Sequence, residues 1–330
     1  MKILFEQLQK AFIYQKGSDL LHFDRSIIAT SLELKEYKKA ITKITEFLYR
    51  IYYSKHDSET KIEQFQETTL ETDDVFILLL SKIYSDKKQA SEKWIVKEIV
   101  NENTFKVYKS GITLTIDKNI HLPVGEQSKK ISKDDAVTIL FSCHFPNISY
   151  GFYVYKSDEG EIDISSGVGR IYFNLRFEHA VDFTRELLNR LYEQKLKFDY
   201  KIFKTIRTQY RIDSAVLYFS LNDYKELKDI IFPYLLSNTH LFNDEVSVFH
   251  YPISKGVGFA EEPLIREENE SYGLNRCKIL AEVIYDSLDT LESTGIISCE
   301  TFVKKFEQNN INPDKVYLNP NSTLEKTLNS

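Results

Sequence analysis

Side chains able to grip an anion or move a proton recur in short runs through this 330-residue sequence. In Arg170-Ile171-Tyr172-Phe173-Asn174 the residue types alternate. On a strand this puts a guanidinium, a phenol and an amide on one face, with Ile171, Phe173 and Leu175 on the other. Such a row is either a solvent-facing surface or a set of fixed donors for an anionic ligand. In Phe198-Asp199-Tyr200-Lys201, Lys201 points away from Tyr200. A lysine beside other cations or partly desolvated gives up its proton more readily and can act as a base, whereas a solvated one does neither. Lys204 offers the same choice. Residues 210–219, YRIDSAVLYF, read as a central strand on which Arg211, Asp213, Ala215 and Leu217 share a face. Arg211 and Asp213 then form either a structural ion pair or a pair in which the carboxylate orients the guanidinium for a ligand.

Ser271 is a good N-cap, Gly273 opens the first turn of its helix to close approach, and Arg276 sits in the next turn. Unsatisfied N–H groups there attract an anion, or the cap is an ordinary one. Glu261 and Glu262, ahead of Pro263, can orient cations across a pocket. His144, after Cys143, is either a general acid or a strand-end histidine with no catalytic part. No GxGxxG, P-loop, HExxH or CxxC pattern occurs, so nucleotide and metal chemistry have no positive support and no cofactor is expected.

Periodicity indicates the elements that would position these groups. Residues 1–90 read as helical. Apolar residues at Tyr37, Ala40, Ile41, Ile44, Phe47, Leu48, Ile51 and Tyr52 make one stripe, and a second helix has its core at 76–83 with Asp73 or Asp74 as cap. Residues 56–72 read as a loop, and no chemistry is expected in this third. From Trp94 the period changes to two. Residues 104–108 and 112–116 form a hairpin through Lys109-Ser110-Gly111, and 118–134 form a loop. Strands are expected at 136–142, 150–155, 168–175 and 198–206, with helices at 179–194, from Asn222 or Asp223 to 236, from Ser271 to 288, and at 299–308. Residues 249–263, with two prolines and two glycines, read as a loop, and the tail from Ile311 as frayed. The expected fold is α+β: a helical N-terminal region, 1–90, packed on a mixed or antiparallel sheet core, 91–330, flanked by helices.

Composition narrows the function. Hydrophobic residues make up 42% and charged residues 28%, as in a globular protein. A net charge of −6 argues against nucleic-acid binding. Cys143, Cys277 and Cys299 are far apart and odd in number, which suggests neither a disulfide framework nor a zinc site. The N-terminus lacks a secretory apolar region, and no apolar run approaches the roughly 20 residues of a spanning helix. No membrane partner is expected, and the expected location is cytoplasmic.

Residues 170–174, 198–201, 210–219, 252–263 and 271–277 together resemble the HopA-type effector family. In order, they give an RxYxN strand, a Phe-x-x-Lys strand, an RxDxxVLY strand, a Gly-Ala-Glu-Glu-Pro-like loop and an S-aromatic-G-x-x-R helix. The fourth block reads Gly258-Phe259-Ala260-Glu261-Glu262-Pro263 here, and the fifth has Tyr272 where Phe is expected. The resemblance spans roughly residues 94–288. The family includes a type III effector of plant pathogens, delivered into a host, and relatives encoded in thioamitide and class V lanthipeptide clusters. In those relatives it is paired with a kinase-like protein, which implies a lyase that removes phosphate from phosphoserine or phosphothreonine of a precursor peptide to leave a dehydroamino acid. The residues suit such a reaction: phosphate is expected at Arg170, Arg211, Arg276 and the Ser271 helix start, with Lys204 beside them. Lys201 is the expected base, Tyr172 or His144 the acid or carbonyl partner, and Asp213, Asn174 and Glu262 orienting groups. A non-catalytic effector-like or precursor-peptide binding module is the alternative. A third reading is a subunit that works only within a kinase complex.

Overall fold

The computed structural model describes residues 5, 12–15, 20–23, 26–54, 69–205, 211–264, 266–267, 270–326 and 328. At its centre is a seven-stranded antiparallel sheet formed by β8 (His144–Ser149), β9 (Phe152–Lys156), β10 (Val168–Phe173), β11 (Phe198–Phe203), β12 (Ala215–Ser220), β13 (Tyr251–Ser254) and β14 (Val257–Glu261). Their order across the sheet is β13-β14-β10-β12-β11-β9-β8, with every neighbour antiparallel. The α+β architecture is the one the periodicity predicts.

The two faces of this sheet serve different purposes. Ile171, Phe173, Ala215, Leu217, Phe219, Tyr200 and Tyr155 pack on one core. That core is shared with helices α2 (Thr69–Ser81), α3 (Ala180–Glu193) and α4 (Tyr224–Ser237). The opposite face carries Tyr172, Val216 and Ala260 into a second core. There α1 (Tyr37–Leu48), α5 (Tyr272–Asp286), α6 (Leu288–Thr294) and α7 (Cys299–Gln308) cover it. A separate four-stranded antiparallel sheet is built from β4 (Lys88–Ile99), β5 (Thr104–Lys109), β6 (Ile112–Asp117) and β7 (Ala136–Ser142). It closes on its own small core around Trp94, Val107 and Ile139. The hairpin turn between β5 and β6 is a two-residue one, with Ser110 and Gly111 both at positive φ, which matches strand twist.

Several expectations need correction. The N-terminal third holds, besides its helices, a three-stranded sheet of β1 (Phe12–Gln15), β2 (Leu20–Phe23) and β3 (Ser26–Ala29). Helix α2 starts at Thr69, so Asp73 and Asp74 lie inside it and do not cap it. Most of the expected 56–72 loop lies outside the described residues. Residues 118–134 contain the one-turn helices Lys118–His121 and Val124–Gln127.

The expected loop at 249–263 is the hairpin β13–β14. Pro252 is tolerated because β13 is an edge strand, and Gly256 turns the chain at φ 64°. Gly258 leaves room for the His250 side chain, which a Cβ would meet at 2.8 Å. The tail from Ile311 is packed, with Ile311, Val316, Leu318 and Leu324 buried. The central strand is Ala215–Ser220. Residues 211–214 are a turn, with Ser214 Oγ donating to Phe173 O and accepting from the Leu175 N–H. Tyr210 lies outside the described residues.

Candidate functional site

On the second face of the large sheet, where α5 stops covering it, lies a cleft of about 1120 Å³. Strand parity fixes what it contains. Lys201 on β11 stands opposite Val216 of β12, which stands opposite Tyr172 of β10. In the next row Tyr218 stands opposite Arg170. Arg170, Tyr172, Val216, Tyr218 and Lys201 therefore point the same way and line one floor.

The Tyr218 ring joins the cations on that floor. The Arg170 Cζ lies 4.9 Å from its centroid and the Lys201 Nζ lies 5.2 Å from it. Lys201 is also 4.5 Å from the centre of the Phe152 ring. Among the described residues its ammonium has neither an ion pair nor a hydrogen bond, and aromatic faces are what it touches. Arg170 is buried, ion-paired with Glu262, and donates from Nη1 to the Tyr172 hydroxyl at 3.3 Å, while its Nε has no hydrogen-bond partner among the described residues. Burial works against the Arg170 charge, but Tyr172, Tyr218 and Glu262 together hold its pKa above the ordinary value. Burial pushes the Tyr172 phenol up, against the pull of Arg170, so the hydroxyl that accepts from Arg170 keeps its own proton.

Arg211 stands on the turn that precedes β12. Its Nε and Nη2 bind the two carboxylate oxygens of Asp213 at 2.8 and 2.9 Å, and Nη2 also reaches the Tyr49 hydroxyl at 3.1 Å. Burial opposes this charge too, and Asp213 more than restores it. The pair that the sequence suggests is thus present, held by a turn. Lys204 lines the rim, with Nζ donating to Pro146 O at 2.6 Å. Ser271 is at the rim as well and caps α5 by accepting from the Leu274 N–H at 3.3 Å.

Other expected site residues lie elsewhere. Arg276 does not line this cleft. It is fully buried behind Tyr272, with Nε donating to Val316 O at 2.8 Å. Asn174 follows the end of β10 and spends its side chain on Glu245 O and Asn243, which fastens the neighbouring loop. His144 is paired with Tyr155 and bonded to the Tyr153 hydroxyl at 2.7 Å, so it lies on the opposite sheet face from Lys201. Glu262 reaches the site only through Arg170, and it also pairs with Arg266. Glu261 turns inward to the tail, accepting from the Asn319 N–H at 2.7 Å and from the Ser322 hydroxyl.

The structure also supplies residues that sequence reasoning passed over. Helix α1 ends in a π-helical turn, Tyr49–Tyr53, in which the Tyr49 and Tyr53 rings stack 5.0 Å apart. Tyr49 reaches Arg211, and Tyr53 packs on Gly273, where a Cβ would meet its ring at 2.4 Å. The close approach that Gly273 permits is therefore made by Tyr53. The N-terminal third, expected to be without chemistry, forms one wall. His250 stacks on Tyr172 at 3.9 Å, and burial pushes its pKa down to about 3. The fully exposed Tyr150 stands at the mouth. Alternation along β12 puts Tyr218 on the face of Val216, but only the pairing register with β10 and β11 brings that face to Arg170 and Lys201, so no sequence signal pointed to it.

No curated protein matches the chain. It is similar to solved structures of effector proteins from Pseudomonas syringae. For that of pathovar tomato strain DC3000, identity is 13% and the TM-score 0.46, over 88% of this chain and 98% of that one. For that of pathovar syringae strain 61, identity is 10% and the TM-score 0.46, over 87% and 98%. The sequence matches the family described as the HopA1 effector protein family over residues 143–318, more than half its length and including β8 to β14 and α5. With the cleft floor falling wholly inside that span, the chain belongs to the HopA1 effector protein family.

Proposed function

We propose that the cleft takes a phosphorylated serine or threonine side chain of a peptide and eliminates the phosphate, leaving a dehydroamino acid. The observation that carries this reading is the Lys201 amine, without polar partners among the described residues and lining the same cleft as two held guanidinium groups. Lys201 removes the Cα proton. The electron pair left behind forms the Cα=Cβ bond, the Cβ–O bond breaks, and phosphate departs with that bond's electrons. Arg211 and Lys204 face the departing dianion, and Tyr172, protonated and backed by Arg170, donates to the neighbouring carbonyl as negative charge builds there. Asp213 and Glu262 hold the two arginines in place. A kinase-like protein would supply the phosphorylated precursor peptide.

A second reading is supported by the same ion pairs. Both guanidinium groups already have carboxylate partners, which suits a module that binds an effector target or precursor peptide without chemistry. Mass spectrometry of a phosphothreonine peptide incubated with the protein separates the two. Loss of one phosphoric acid, reduced by about 10²-fold or more in Lys201→Ala, supports elimination. Unchanged peptide mass, with equal affinity for the unphosphorylated form, supports binding alone. If Lys201→Ala remains fully active, Lys201 is not the base.

A further inference from the structure

The volume of the cleft, about 1120 Å³, exceeds the roughly 300–1,000 Å³ that holds one drug-sized ligand, so a phosphorylated side chain fills only part of it. Arg170 and Lys201 stand on the floor formed by the sheet. Off that floor, three separate elements bring apolar residues to the lining: Tyr150 from the β8–β9 turn, Ile77 from α2 and Leu274 from the first turn of α5. Tyr150 is fully exposed, Leu274 is at the surface and Ile77 is half-buried. The Tyr150 ring is on a pinned support. Ser149 pairs with Phe152, so Tyr150 and Gly151 form a two-residue turn, with Gly151 at φ 76°. The Lys204 N–H donates to Gly151 O at 3.0 Å, and its Nζ donates to Pro146 O at 2.6 Å, which ties the turn to the end of β11. Among the described residues Tyr150 has no hydrogen bond, ion pair or ring contact of its own. The apolar surface continues outward from Ile77 along α2, where Val75 and Leu78 are each more than half exposed. A surface helix ordinarily keeps its solvent side polar, so an apolar outer side calls for a cover.

We propose that the cleft selects peptides whose residues beside the phosphoserine or phosphothreonine are apolar, with Tyr150 and Leu274 taking those side chains. The cations hold the phosphate at the floor, and the peptide leaves past the Tyr150 ring and over α2. The proposal rests on the reading of the cleft as a phosphopeptide site and adds the class of peptide it accepts. It makes Tyr150 and Leu274 specificity residues that take no part in proton transfer.

The test is fluorescence anisotropy with the full chain and labelled peptides carrying a phosphonate analogue of phosphoserine. A methylene stands where the bridging oxygen would be, so no elimination can occur. Two peptides differ only in the two residues on each side of the analogue, Leu in one and the similarly sized but polar Gln in the other. The Leu peptide should bind about tenfold more tightly. Tyr150→Ser should cut that ratio by about threefold or more and leave the affinity for the Gln peptide unchanged. Tyr150 is fully exposed, so the fold should persist. Leu274→Ser should act in the same direction. A ratio near one, a ratio unmoved by Tyr150→Ser, or no measurable binding of either peptide overturns the proposal. Because the probe cannot react, a failure of elimination in the mass assay leaves this order of affinities standing. If plain serine in place of the analogue binds as tightly, with the same preference for Leu, the phosphate reading fails and the apolar one holds.

Discussion

Lys201 and Arg170 share a single aromatic support, the Tyr218 ring. The catalytically useful half of that support is Arg170, which backs Tyr172: a cation over a ring gains about 1–2 kcal/mol, roughly tenfold in an equilibrium. Tyr218→Phe keeps the ring and should retain most activity in the phosphopeptide assay. Tyr218→Leu should lose about tenfold or more, and equal loss in both would move the role from ring to hydroxyl. His250 makes a different prediction. Buried against Tyr172, with Asp213 and Arg170 nearby, it has a folded pKa of about 3, below the ordinary histidine value. The unfolded chain therefore binds more protons below pH 6.5, and the stability His250 contributes is lost as pH falls through that window. Between pH 6.5 and 5 denaturant melts should show wild type losing up to about 1.4 kcal/mol per pH unit more than His250→Asn. Glu261, raised by burial, titrates with the opposite sign in both proteins, so the difference between them isolates His250.

At the scale of elements, alternation was a faithful guide where both faces of a strand are buried or lined, as at 168–173 and 198–203. It misled at 211–214, where Arg-Ile-Asp-Ser alternates in type while hydrogen bonds of Ser214 hold the backbone in a turn. Glycine and proline hid the hairpin at 251–261, because an edge strand and a packing glycine carry the same letters as a loop. The wall formed by Tyr49 and Tyr53 was illegible, since a helix stripe says which face is buried and not against what. The joint between α1 and α5 is testable at Gly273, where a methyl group would press on the Tyr53 ring. Gly273→Ala should cost about 1–3 kcal/mol despite alanine's better helix propensity. It should also disturb phosphopeptide processing, because Tyr53 moves with it. A Tm equal to or above wild type would show that the contact yields freely.

Across the whole molecule, the family match begins at residue 143, yet the second core needs residues before it. Ala40, Ile44 and Leu48 of α1 are buried among Cys277, Leu280 and Ile284 of α5. A fragment of residues 143–330 would leave that apolar face bare, at roughly 25 cal/mol for each Å² exposed. Circular dichroism should show secondary structure without a cooperative melt. A sharp transition like that of the full chain would make the N-terminal third dispensable to the core. The four-stranded sheet has its own small core, so much less of the fold depends on it.

The widened turn at Tyr49–Tyr53 gives the cleft a dependence that no single side chain reveals. Each residue added to or removed from a helix rotates the chain beyond it by about 100°. Tyr53 meets Gly273 from within that π-helical turn. The phase of that wall is therefore set by residue count as much as by residue identity. A one-residue deletion in the turn, with every lining side chain still present, would swing the tyrosine off its seat.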